Sequence, residues 1–269
     1  MNHIIVSENC SNMRKAARQG LTSRWYTAML ATLVFAAATT LPSMLAVFIF
    51  GKDFGTIVGN IYMLITGGAF LLGFSYFTMS LFRTGNGSPK DIFYGFDYLV
   101  KALSLNIVMT VFVILWSLLL IIPGIVAAYR YRLSYYIMLD NPNLSTLEVI
   151  NESKRLMRGN KGKLFLLDLS FIGWAILATI TFGLGFIALT PYMNMATFVF
   201  YELCNGNIMP RNIEINYGYQ NESQSLKIQD DVQSIQNPES NIEKNDSGNI
   251  EINEEAAETA SKDSNIKEL

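Results

Sequence analysis

Histidine and cysteine are almost absent from this sequence: one histidine, His3, and two cysteines, Cys10 and Cys204, stand in 269 residues. A metal site built on histidine clusters is thereby excluded, and two cysteines so far apart give no disulfide framework. Charge is scarce too. Asp, Glu, Lys and Arg make up 16 % of the chain against 51 % for hydrophobic residues, and the mean hydropathy is +0.27. That balance is unusual for a soluble globular chain and ordinary for an integral membrane protein. Also missing are a Walker loop, a dinucleotide fingerprint, a zinc signature and a nucleophile elbow. The sequence therefore leads us to expect no enzyme activity, catalytic residue, cofactor, metal or nucleic-acid partner.

The charges that remain are unevenly divided. Met1 to Arg211 holds 16 Lys or Arg against 9 Asp or Glu, whereas Asn212 to Leu269 holds 4 against 13, so the formal net charge of −2 is a cancellation between +7 and −9. The C-terminal stretch is rich in Asn, Glu, Ser, Gln and Asp and cannot bury enough apolar surface to offset ordering entropy. We expect residues 207–269 to be a disordered, acidic, cytoplasmic tail, with a protein partner as one use for it.

Between the polar ends run six apolar stretches, 26–50, 57–81, 103–122, 125–139, 164–181 and 184–203. At ~1.5 Å per residue the longer ones match a hydrocarbon thickness of ~30 Å. Pro123-Gly124 marks a tight reversal between the third and fourth, and Phe182-Gly183-Leu184-Gly185 a second reversal between the fifth and sixth. Lys and Arg collect in alternate connections: Arg14 to Arg24, then Arg83 to Lys101, then Lys154 to Lys163, with only Lys52 on the other side. Six spans with both termini cytoplasmic place every basic cluster inside the cell. The expected fold is all-α: a membrane bundle (26–206) of about six transmembrane helices in the cell membrane, preceded by a cytoplasmic arm (1–25).

Short amphipathic helices separate the spans. Ser88-Pro89-Lys90-Asp91 and Ser145-Thr146-Leu147-Glu148 each read as a capped helix start. Apolar residues follow at Ile92, Phe93, Phe96, Leu99 and Val100, and at Val149, Ile150, Leu156 and Met157, with Ser153 the exception. Met13, Ala16, Ala17 and Leu21 form a looser version in the arm, so the body reads as three copies of an amphipathic helix followed by two spans. Such helices are expected along the inner leaflet. Lys154, Arg155, Arg158, Lys161 and Lys163 are the candidate contacts to lipid headgroups, membrane lipids being the expected partners.

The stretch IPGIVAAYRYRLSYYIMLDNPNLSTLEVINESKRLMRGNKGKLFLLDLSFIGWAIL, followed by PYMNMATFVFYE, resembles a family of bacterial integral membrane proteins called domain of unknown function 975. The resemblance runs from about Met13 to Glu202 and is most specific at Pro123-Gly124, Asp140-Asn141-Pro142, Gly159-Asn160-Lys161 and Leu167 to Phe171. It implies a plasma-membrane location and no established activity. A more distant similarity to the membrane region that precedes some glycerophosphodiester phosphodiesterase domains carries no enzyme assignment, because that catalytic domain is missing here.

Three charges fall well inside the expected spans: Arg130, Arg132 and Asp168. Charges at such depth are costly and mark a partner or a water path. An Arg132–Asp168 pair is expected, and Arg130, two residues from Arg132 and so ~200° around the helix, must face elsewhere. Two functional readings follow. The leading one is a non-enzymatic scaffold or sensor; the alternative is a transporter or a lipid- or anion-handling protein that uses Arg130, Arg132 and Asp168.

Overall fold

A computed structural model describes residues 4–208, which form helices with no strand among them. In chain order these are α1 (Cys10–Gly20), α2 (Trp25–Phe50), α3 (Lys52–Arg83), a 3-10 helix (Pro89–Tyr98) that runs into α4 (Leu99–Leu119), α5 (Ile121–Tyr131), α6 (Ser134–Asp140), α7 (Thr146–Leu156), α8 (Lys161–Leu169), α9 (Ile172–Ile180) and α10 (Phe186–Asn205). The expected tail lies outside the described residues from 209 onward.

Among the described residues four stretches are long and apolar enough to cross a membrane: Trp25–Phe50, Lys52–Arg83, Pro89–Leu119 and Lys161–Ile180. They coincide with the first, second, third and fifth expected spans. Only 11 % of the apolar window of α2 is buried by the rest of the chain, and Leu41, Met44 and Phe48 point outward. At ~25 cal/mol for each Å² of apolar surface, such a flank is stable against hydrocarbon and costly in water.

The other two expected spans take different forms. The fourth is interrupted: α5 ends at Tyr131, Arg132 and Leu133 turn, and α6 resumes at Ser134. α10 covers the sixth and has 20 residues, but Tyr192, Asn194 and Glu202 dilute its apolar character. Thirteen of its residues are buried, which makes it a central helix of the bundle rather than a lipid-facing one.

The expected reversal at Pro123-Gly124 falls three residues earlier. Leu120 is extended (φ −162°, ψ 149°), and Pro123 sits in the first turn of α5, where its missing N–H costs no hydrogen bond. Gly124 then lets α5 fold back on α4, since a Cβ there would come 2.1 Å from Ser117 Oγ. The second reversal stands where the glycines placed it, with Phe182 and Gly183 both at positive φ.

Glycines also govern the approach of α3. A Cβ on Gly73 would come 1.9 Å from the Ile92 carbonyl, one on Gly68 2.5 Å from that of Ala102, and one on Gly95 1.9 Å from that of Ala69; around Gly67 there is nothing within 4 Å. The α3 backbone therefore lies directly on the 3-10 helix and the start of α4.

The amphipathic helices α1 and α7 turn their apolar faces to protein. Met13, Ala16, Ala17 and Leu21 are fully buried, with α1 packed on α10 and α8; Val149, Ile150, Leu156 and Met157 are buried under α7, which packs on α4, α5 and α6. Ser153 breaks the apolar pattern because its hydroxyl donates to the Arg130 carbonyl at 2.8 Å. After Ser88 the helix is 3-10 rather than α, so Ile92 and Gly95 face inward while Phe93 and Phe96 are exposed; Val100, already in α4, is exposed as well. Both expected capping boxes form, Ser88 with Asp91 and Ser145 with Glu148.

Two outcomes follow. Gly95→Ala should lower the thermal unfolding temperature of the detergent-purified protein, at an overpacking cost of about 1–3 kcal/mol, whereas Gly67→Ala should leave it unchanged. Hydrogen bonds from Ser145 hold the Glu148 carboxyl below its ordinary range, and the bond from Arg155 does the same for Glu152. Their contribution to α7 is thus complete above the unfolded carboxylate pKa of ~4.3 and is lost as pH falls through the depressed folded values. Amide exchange in α7 should accelerate over that acid window, and in Ser145→Ala the acceleration should begin at higher pH.

Candidate functional site

An arginine inside a helical bundle needs a partner, because a bare charge in a low-dielectric surrounding costs several kcal/mol. Arg83, at the end of α3, meets two acids. It grips Asp140 of α6 with two bonds of 2.6 and 2.9 Å, and its Nε and Nη2 donate to Glu202 Oε1 of α10 at 2.8 and 2.5 Å. Tyr201 donates to the same Asp140 at 2.7 Å, and the guanidinium lies 5.5 Å from the Phe198 ring centre. Three helices are thus tied at one point. Arg14 of α1 donates to the Ser170 carbonyl at 3.0 Å, where α8 gives way to α9 and the helical ladder is interrupted.

The three expected intramembrane charges part company. Arg130 lies over the Trp116 ring, 5.8 Å from its centre. Asp168 accepts a hydrogen bond from Tyr129 at 2.9 Å. No ion pair joins Arg132 to Asp168: the pairs among the described residues are Arg83–Asp140, Arg83–Glu202 and Arg155–Glu152. The expected contact is corrected, with a neutral phenol satisfying Asp168 instead. The divergence of Arg130 and Arg132 is as their spacing requires.

Arg132 lines a cavity of about 530 Å³ enclosed by α2, α3, α4, α5, α6 and α10. The wall mixes two characters. Phe35, Phe74, Met109 and Val113 are apolar, while Asn106, Tyr135, Tyr136 and Asn194 carry polar atoms. Tyr135 donates to Asn106 Oδ1 at 3.2 Å and Tyr136 to the Asn194 carbonyl at 3.4 Å, so these groups are satisfied within the wall. The cavity reaches the surface through Leu71, Thr110, Ile114 and Ala128, which like Arg132 are exposed. A hydrocarbon-lined mouth with one cation and no carboxylate paired to it suits a molecule with an apolar body and an anionic end.

The expected headgroup contacts differ in their exposure. Lys154 sits over the Phe112 and Tyr131 rings at 5.5 and 5.9 Å, and Arg155 is bonded to Glu152. Arg158 is exposed, and Lys161 and Lys163 are half-buried. Cys204 is buried against Asn160, whose side chain is fully enclosed and clasps the N-terminal arm by accepting from Val6 N and donating to the Ile4 carbonyl, both at 2.9 Å.

Sequence reasoning missed the Arg83 cluster. Arg83 read as one more basic residue in a cytoplasmic connection, and Asp140 only as part of the Asp140-Asn141-Pro142 motif of the family resemblance. The available signal was Glu202, an acid following the apolar run Ala196 to Phe200 on a helix that has no Lys or Arg of its own.

Helices long and apolar enough to cross a membrane, joined by short polar segments and tied by internal ionic contacts, mark an all-helical membrane protein. The chain belongs to the family described as "Protein of unknown function (DUF975)", whose model matches residues 7–126 and 118–207. No curated protein and no solved structure matches it.

Replacing Arg83 by Leu strands the Glu202 carboxylate, 3 % exposed, inside the bundle. That change should destabilise the purified protein by roughly 3 kcal/mol, and the double change Arg83→Leu with Glu202→Leu should restore much of the loss. Tyr201→Phe, which removes one hydrogen bond, should cost only about 1 kcal/mol. Thermal or denaturant unfolding in detergent reads all three.

Proposed function

We propose that this protein is a non-catalytic membrane protein that takes up an anionic amphiphile, a molecule with a hydrocarbon body and a phosphate or carboxylate end, in the cavity beside Arg132. The observation that carries this reading is the unpaired guanidinium of Arg132 in a half-apolar cavity whose rim is hydrocarbon. A passive scaffold has no use for such a space, whereas a lipid- or anion-handling protein requires one, so the geometry favours the second of the two functional readings. Arg130 and Asp168, engaged by Trp116 and Tyr129, act as positioning residues for the interrupted α5–α6 segment and the α8 helix.

The same proposal includes six crossings of the cell membrane with both termini in the cytoplasm, the α5–α6 pair and α10 completing the four apolar helices. The placement of Lys and Arg in alternate connections supports it. On this orientation Arg158, Lys161 and Lys163 meet the headgroups of the inner leaflet, while Lys154 and Arg155 serve the fold.

The test is purification from native membranes in a mild detergent, followed by identification of the bound small molecules. An anionic amphiphile should accompany the parent protein in about stoichiometric amount. It should fall on the order of tenfold in Arg132→Gln, the loss expected for a charge-assisted contact, and stay in Arg130→Gln. Identical profiles for parent and Arg132→Gln contradict the proposal.

A further inference from the structure

α10 separates two hollows. Thr190, Asn194 and Thr197, spaced by four and three residues, face the Arg132 cavity; Ala188, Leu189 and Tyr192, on the opposite side of the helix, face a second one together with Gly185 just before it. This second hollow is a groove of about 420 Å³ between α9, α10 and the start of α2. Trp25, Trp174, Leu177 and Ala178 line it along with those α10 residues, and its walls are nearly all apolar. Trp174 and Leu177 are each more than half exposed, so the groove lies open along its length.

One end of the groove is cationic. Arg18, in the last turn of α1, lines it and forms no ion pair among the described residues. Its place is fixed by Arg14, one turn earlier, which is held at the Ser170 carbonyl where α9 begins. Thr181 and Gly185, in the turn that follows α9, line the other end. Nine residues of α9 give the groove a length of roughly 14 Å between a positive mouth and a neutral floor. Trp25 and Tyr192 meet edge to face, 6.0 Å apart, and rings of this kind favour the boundary between headgroups and chains.

We infer that this groove is a binding site for an anionic membrane lipid, with one acyl chain lying along α9 and α10 and the headgroup at Arg18. Charge complementarity selects the occupant: a zwitterionic lipid offers its phosphate together with a cation that opposes the arginine, and an apolar helix of a second copy offers no anion, so a lipid of net negative charge gains most from Arg18. The site stands on its own residues and does not depend on the Arg132 cavity.

The tryptophans give a direct readout. The chain has three, Trp25, Trp116 and Trp174, so a Trp116→Phe variant keeps only the two that line the groove. In that background, reconstituted in vesicles, phosphatidylglycerol brominated on its chains should quench the fluorescence at about fivefold lower mole fraction than brominated phosphatidylcholine, the preference expected from one added cation near the headgroups. Adding Arg18→Gln, a change at an exposed position, should bring the two lipids together. Adding Ala188→Phe, which fills the groove, should lower the quenching by both; helical circular dichroism and a sharp elution profile check that each variant is folded. Adding Arg132→Gln should leave the fivefold preference intact, which separates this site from the cavity. Equal quenching by the two lipids in the Trp116→Phe protein, or a preference that survives Arg18→Gln, overturns the inference and makes the groove an ordinary lipid-facing or self-associating surface.

Discussion

The bundle is organised by the requirement that each arginine drawn into it find something to neutralise or solvate it. Arg83 meets two carboxylates and in doing so joins α3, α6 and α10. Arg14 meets a carbonyl that a break in the helical ladder has left over, and so fastens α1 to the junction of α8 and α9. Arg130 meets the face of Trp116. Arg132 alone of these four opens onto a cavity. Helical continuity is broken at Ser170, beside Arg14, and at Arg132–Leu133, beside Arg130 and Arg132, while Arg83 stands at the end of α3.

Close backbone contact supplies the rest of the cohesion. Lipid chains are as apolar as leucine, so helices inside a membrane gain little from merely hiding hydrocarbon from their surroundings. Gly68, Gly73 and Gly95 bring carbonyls and helix axes near enough for dispersion contacts that a single added methyl would prevent. The aromatic cluster of Phe70 with Phe93 and Phe96, at ring distances of 6.1 and 5.0 Å, fills the space beside that contact.

Much of this architecture was legible in the residues, and the parts that were not have identifiable causes. Hydrophobic runs located α2, α3, α4 and the α8–α9 stretch, since length and composition alone decide whether a helix suits a bilayer. Ser88 and Ser145 announced their helix starts through capping chemistry that is local in sequence. Pro123-Gly124 announced a reversal, but its position depended on where α4 could end, and Leu120 took the extended conformation instead. The burial of Met13, Ala16, Ala17 and Leu21 followed the helical period, although the period cannot say whether protein or lipid covers the face. Partners distant in the chain were the least legible. Arg132 and Asp168 satisfied every requirement for a pair except that Tyr129 reached Asp168 first, and Arg83 meets Glu202 from 119 residues away.

A density map of the protein in a disc of native lipid addresses the central claim, that the Arg132 guanidinium is neutralised by a molecule from outside the chain. The expected map contains elongated non-protein density that begins at Arg132 and runs past Val113 toward Ile114. A map in which Arg132 is paired with one of the protein's own carboxylates, with side chains closing the cavity, would contradict it.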